Sequence, residues 1–112
     1  MTARKLTMRD YNAALELVLD AHEMWAVSGQ HKKRKGRQLD LSGAFLAQAN
    51  LTDADLMWAY LTGANLQGAK LEGSVLAYAN LEGSDLEGAK LKDADLRLAD
   101  LRGANLKGVK GL

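Results

Sequence analysis

The apolar positions of this chain recur with a period that belongs to no helix. From Leu41 onward a leucine stands at every fifth position, fourteen times without exception: Leu41, Leu46, Leu51, Leu56, Leu61, Leu66, Leu71, Leu76, Leu81, Leu86, Leu91, Leu96, Leu101 and Leu106. Two positions before each leucine stands alanine in eleven units, and Leu39, Ser74 or Ser84 in the other three. Five residues on an α-helix turn through about 500°, so these leucines would spiral and form no face. In extended chain the small residue and the leucine, two apart, share one side, which leaves the rest of each unit to turn a corner. The unit is therefore small-x-Leu-x-x, one short side of a coil, with the fourteen leucines as its structural core.

The number of sides follows from a slower rhythm at the corner position, two residues after each leucine. At a spacing of twenty, Gly43, Gly63, Gly83 and Gly103 share a column, and Gln48, Gly68, Gly88 and Gly108 share another. A third column reads Asp53, Gly73, Asp93, and the fourth Trp58, Tyr78, Leu98. At a spacing of fifteen the glycines scramble, so four sides fit better than three. Glycine suits a turn that needs positive φ. Columns with and without glycine then predict two kinds of turn and a slightly irregular square section.

Before the repeats the period changes. Thr7 with Asp10 three residues on is a capping-box pattern. Tyr11, Leu15, Val18, His22 and Trp25 follow at spacings of three and four, with Gly29 placed to end the helix. This segment is expected to cap the first coil. The divisions are a helical cap over 1–30, a basic linker over 31–38 and the repeats over 39–112.

Composition narrows the class. With no cysteine there is no disulfide and no thiolate, and two histidines supply at most half of a four-ligand zinc site. The longest apolar run is four residues, Met24 to Val27, against roughly 20 for a membrane span. No membrane partner is expected, and the expected location is cytoplasmic.

The units Ala49-Asn50-Leu51, Ala54-Asp55-Leu56, Ala64-Asn65-Leu66, Ala79-Asn80-Leu81, Ala94-Asp95-Leu96, Ala99-Asp100-Leu101 and Ala104-Asn105-Leu106 resemble the A-(D/N)-L-x-x motif of the pentapeptide-repeat family. The resemblance spans residues 39–110. It implies an all-β solenoid, a right-handed quadrilateral β-helix of about 3.6 coils, here with an N-terminal capping α-helix. Phe45, Tyr60, Lys70, Val75 and Lys90 depart from the motif before leucine, on the outer wall where the fold tolerates them. His22 and Trp25 match an H-x-x-W element that precedes the repeats in similar proteins. Some family members mimic DNA and act on type II topoisomerases such as gyrase. A small non-enzymatic interaction or scaffold module with an unknown protein partner is the leading expectation, with a gyrase modulator as the alternative.

Four surface features carry the candidate chemistry. Lys32, Lys33, Arg34, Lys35 and Arg37 place five positive charges in seven residues, and they alone make the chain, net +1, basic. Such a patch attracts nucleic acid, while the plainer reading is a solvated linker. Met57, Trp58, Tyr60, Tyr78 and Leu98 form an apolar outer stripe, suited either to a protein contact or to stacking between coils. Phe45 is expected to lie beneath the N-terminal helix. Asp53 and Asp55 recur as Asp93 and Asp95 two coils on, about 10 Å away and too far to share a cation. Lys70, Lys90 and Lys110 form a solvated column flanked by Glu72.

Ser74 and Ser84 occupy inward positions, and no triad, dyad or phosphate loop is present. No enzyme activity, cofactor or metal is expected. The last coil ends as an unpaired edge, which is expected to meet a second copy or a partner.

Overall fold

The computed structural model describes residues 39–112. The expected cap with Tyr11, Leu15, Val18, His22 and Trp25, and the basic segment with Lys32, Lys33, Arg34, Lys35 and Arg37, lie outside the described residues. From residue 39 the chain winds as a parallel β-solenoid. Eleven parallel bridges each join residues twenty apart, from Asp40 with Tyr60 to Lys90 with Lys110. Fourteen turns follow one another at five-residue intervals, each closed by a bond of 2.9–3.2 Å from the small residue's N–H to the preceding leucine carbonyl. A coil is therefore twenty residues with four turns.

The five-residue unit satisfies each of its backbone donors, as an interior built from extended chain requires. In the unit around Leu66, Ala64 N–H closes the turn to Leu61 and Asn65 N–H donates to Ala44 one coil earlier. Leu66 N–H and Gly68 N–H donate to Asp85 and Glu87 one coil later. Only Gln67 N–H is left, and Asn65 Oδ1 accepts it at 3.0 Å. The same side-chain bond recurs at Asp40, Asn50, Asp55, Asn80, Asp85, Asp95, Asp100 and Asn105. Thus the aspartate or asparagine before leucine is the fifth hydrogen bond of the unit, an Asx cap on the turn.

Val75 replaces this acceptor with a branched alkyl group. Val75→Asn is expected to raise stability by about 1 kcal/mol, the net worth of one such bond. Urea denaturation checks it, and a lower midpoint would show that Val75 packs better than asparagine caps.

The corners correct the expected mixture of turns. All fourteen corner residues have φ between 59° and 71°, whether glycine or not. Each turn carries its one positive φ at the third position, as a type II turn does, so the section is built from a single kind of corner. The reason is the ladder: a unit of fixed length bridged to identical units above and below must turn each corner alike. Gln48, Asp53, Trp58, Tyr78, Asp93 and Leu98 are therefore held in the left-handed region.

Ten of the fourteen repeat leucines, Leu46 to Leu91, are buried, most with no exposure at all. Ala49, Ala59, Ala64, Ala69, Ala79 and Ala89 fill the gaps between them, as do Ser74 and Ser84. Burial fades toward the ends of the stack, where Leu41, Leu96 and Leu101 are half-buried against the core and Leu106 is 38% exposed. Ser74 Oγ donates to the Leu71 carbonyl at 2.7 Å, whereas buried Ser84 Oγ has no partner. Ser84→Ala is expected to stabilise the protein by about 1 kcal/mol, since an unpaired buried hydroxyl keeps its desolvation penalty. Thermal unfolding reads this directly, and a loss of stability would show that the hydroxyl is bonded.

Candidate functional site

A corner that demands positive φ costs a side chain about 1–2 kcal/mol unless the residue is glycine. Eight of the fourteen corners are glycine. The polar exceptions are Gln48, Asp53 and Asp93, and the two earlier ones lie over glycines of the next coil: Gln48 covers Gly68, and Asp53 covers Gly73. The three large apolar exceptions, Trp58, Tyr78 and Leu98, all fall in one column. Bulky apolar residues are the worst fit for this conformation. Their concentration at one corner marks that corner as different from the other three.

Within the column Trp58 and Tyr78 stack face to face, with ring centroids 4.3 Å apart and planes 10° from parallel. Exposure rises along the column, from half-buried Trp58 through Tyr78 at 44% to Leu98 at 73%. Met57 is half-buried beside Trp58, and Ala77, its counterpart one coil on, is buried. Tyr60, 45% exposed, stands on the adjoining wall and is bridged to Asp40 and Asn80. The structure thus resolves the expected stripe into a stacked column with Met57 on one flank and Tyr60 on the other. Phe45 does not join it and is 64% exposed; the helix expected above it lies outside the described residues.

Charge surrounds the column unevenly. Arg97 is paired with Asp95 at 2.8 Å, and Arg102 with Asp100 at 2.7 Å and with Glu82 at 3.6 Å. The Arg97 guanidinium, then its backbone N–H, hold the Asp95 carboxyl below the usual carboxylate range, and Arg102 does the same for Asp100. Asp40 is lowered by the Ser42 backbone N–H first and by its side chain second. The contributions of these carboxylates to stability are complete above their ordinary titration range and fade as pH falls through it, because the folded state holds the charged form. Asp40, Asp53, Asp55 and Asp93 have no ion-pair partner among the described residues.

The remaining candidates stay apart. No group of three or more His, Cys, Asp or Glu among the described residues could hold a metal ion. Lys70, Lys90 and Lys110 are bridged in one exposed column. Lys70 and Lys90 border a shallow groove of about 460 Å³ over Gly68 and Gly88, faced on the other side by Gln67 and Glu87. Two signals in the sequence were open to reading and pointed here: the unbroken five-residue spacing through non-glycine corners, and the Asp/Asn that recurs two residues before each turn's free N–H.

The pentapeptide-repeat family model matches residues 37–68, 54–93 and 79–110, eight copies that together span more than half of the chain. The chain belongs to the pentapeptide-repeat family. This pentapeptide-repeat protein is 40% identical to the solved structure of Rfr23 from the cyanobacterium Cyanothece 51142, over 65% of its own length and 54% of Rfr23, with a TM-score of 0.56. It therefore spans about half of that relative. It is 35% identical to alr5209 from Nostoc PCC 7120, over 84% of this chain and 74% of that one, with a TM-score of 0.43. No curated protein sequence matches it. No helix among the described residues is long and apolar enough to cross a membrane.

Proposed function

We propose that this pentapeptide-repeat chain is a non-enzymatic protein-interaction module, a right-handed quadrilateral β-helix closed by an N-terminal helix, which binds its partner through the Trp58, Tyr78 and Leu98 column. The observation that carries this reading is the left-handed backbone of three large apolar residues at one corner. Strain retained where glycine would remove it belongs to sites kept for something other than stability. Stacking repays part of the cost at Trp58 and Tyr78, but Leu98 is 73% exposed and packs little. Duplex mimicry is not proposed, because the repeats carry lysine as well as acidic columns and no wall is uniformly acidic.

The test places a photo-crosslinking residue at position 98 and, as a control, at Thr62 beside the Gly63 corner. The reading expects discrete protein adducts from position 98, lost when Tyr78→Gly is added, and none from position 62. Equal labelling from both positions, or labelling from 98 that ignores Tyr78→Gly, would contradict it.

A further inference from the structure

The charges on either side of the column identify the chemistry of what it binds. Asp53, Asp55 and Asp93 lie on one flank and Asp40 on the other, none of them in an ion pair among the described residues. The two arginines on these walls, Arg97 and Arg102, are already held by Asp95 and Asp100. Of the lysines of the repeats, Lys70, Lys90, Lys107 and Lys110 fall in columns away from these two walls, and Lys92 stands beside Asp93 at the far corner of one of them. The solenoid is thus polarised, with an apolar column set between walls on which carboxylates outnumber the cations.

Geometry selects the form of the partner. Residues in one column repeat at about 4.8 Å, the spacing between paired strands. An α-helix repeats its apolar stripe at about 5.4 Å per turn, so a helix lying along the solenoid axis keeps register with three coils to within about 1.2 Å. The rings of Trp58 and Tyr78 use their facing surfaces on each other. With one face of each ring taken up in this way, the rings and the exposed Leu98 methyl groups make a surface suited to aliphatic side chains.

We infer that the column docks an amphipathic helix of a partner protein, its apolar stripe on Trp58, Tyr78 and Leu98 and its flanking Lys or Arg residues facing Asp55 and Asp93 on one side and Asp40 on the other. This rests on the column being a docking surface. Electrostatic complementarity fixes orientation and partner choice, and the apolar contact supplies the holding energy. Duplicating the arrangement with reversed charge would place like charges opposite one another along both flanks.

The experiment uses the full chain and three labelled 18-residue peptides: one with leucine at helical spacing flanked by lysine, a twin with glutamate for lysine, and a permutation of the first that scatters its leucines. Fluorescence anisotropy at moderate salt measures each against the wild type, Leu98→Gly, Tyr78→Gly and the pair Asp55→Asn with Asp93→Asn. The inference expects the ordered lysine peptide to bind at least tenfold tighter than the permuted one. It expects that binding to fall at least tenfold in Leu98→Gly and Tyr78→Gly, and severalfold in the aspartate pair. The glutamate twin can be drawn to the basic segment around Lys33, but its binding should not depend on Leu98. If the glutamate twin binds as tightly as the lysine peptide and with the same dependence on Leu98, the cationic class is wrong and the docking column stands. If the permuted peptide binds as well as the ordered one, the helical stripe is wrong. If no peptide responds to Leu98→Gly or Tyr78→Gly, both the inference and the docking column fall.

Discussion

Leu71→Ala is expected to cost about 2–5 kcal/mol, the range for deleting a fully buried leucine. Leu71 has no exposure and lies between Leu51 of the coil before and Leu91 of the coil after. Those neighbours cannot collapse into the space, because both coils are fixed by the ladder: Leu51 N–H donates to Lys70, and Leu71 N–H to Lys90, at 2.8 and 2.9 Å. The cavity therefore stays open, and the cost belongs toward the upper part of the range. Leu106→Ala is the control; its leucine is 38% exposed in the last coil, so it leaves no closed cavity and should cost far less. Urea denaturation of both variants separates them, and equal midpoints would show that the interior is not stacked as described.

The reverse change at the partner position, Ala64→Leu, is expected to destabilise by about 1–3 kcal/mol through overpacking. Ala64 has no exposure, and its N–H closes the turn to Leu61 while its carbonyl accepts from Asp85. A larger side chain must therefore push two coils apart or break a corner. Because each coil touches only its neighbours, the damage is local and the rest of the stack folds. Ala47→Leu adds the same atoms at a half-buried turn position outside the core cluster and should cost less than Ala64→Leu. Thermal unfolding of the pair distinguishes an interior that needs alanine from one that merely tolerates it.

Much of this architecture is legible in the residues. The five-residue leucine period and the twenty-residue glycine columns lead directly to coils of four turns, because side-chain alternation and turn conformation are local properties of the chain. The single kind of turn was harder to read. Glycine at Gly63 announces a positive φ, but Trp58 and Leu98 do not, since an isolated tryptophan or leucine avoids that region. What overrides their preference is the ladder to neighbouring coils, a tertiary constraint with no local signature. The Asx bond was hidden for a different reason: Asp55 and Asn65 look like ordinary surface residues until the donors of a unit are counted. The apolar stripe was visible as residues, but the choice between inter-coil stacking and partner contact depends on exposure. The structure divides it, with stacking for Trp58 and Tyr78 and a projecting side chain for Leu98.

Chemical denaturation of Leu98→Gly tests whether the column is kept at a cost in stability. Leucine at φ 59° gives up about 1–2 kcal/mol of backbone energy, which glycine recovers apart from its greater freedom in the unfolded chain. With Leu98 73% exposed, little packing is lost in exchange. The variant is expected to be at least as stable as wild type, by up to about 1 kcal/mol. A loss of more than about 1 kcal/mol would mean that Leu98 holds the coils together, and that the column exists for the fold and not for a partner.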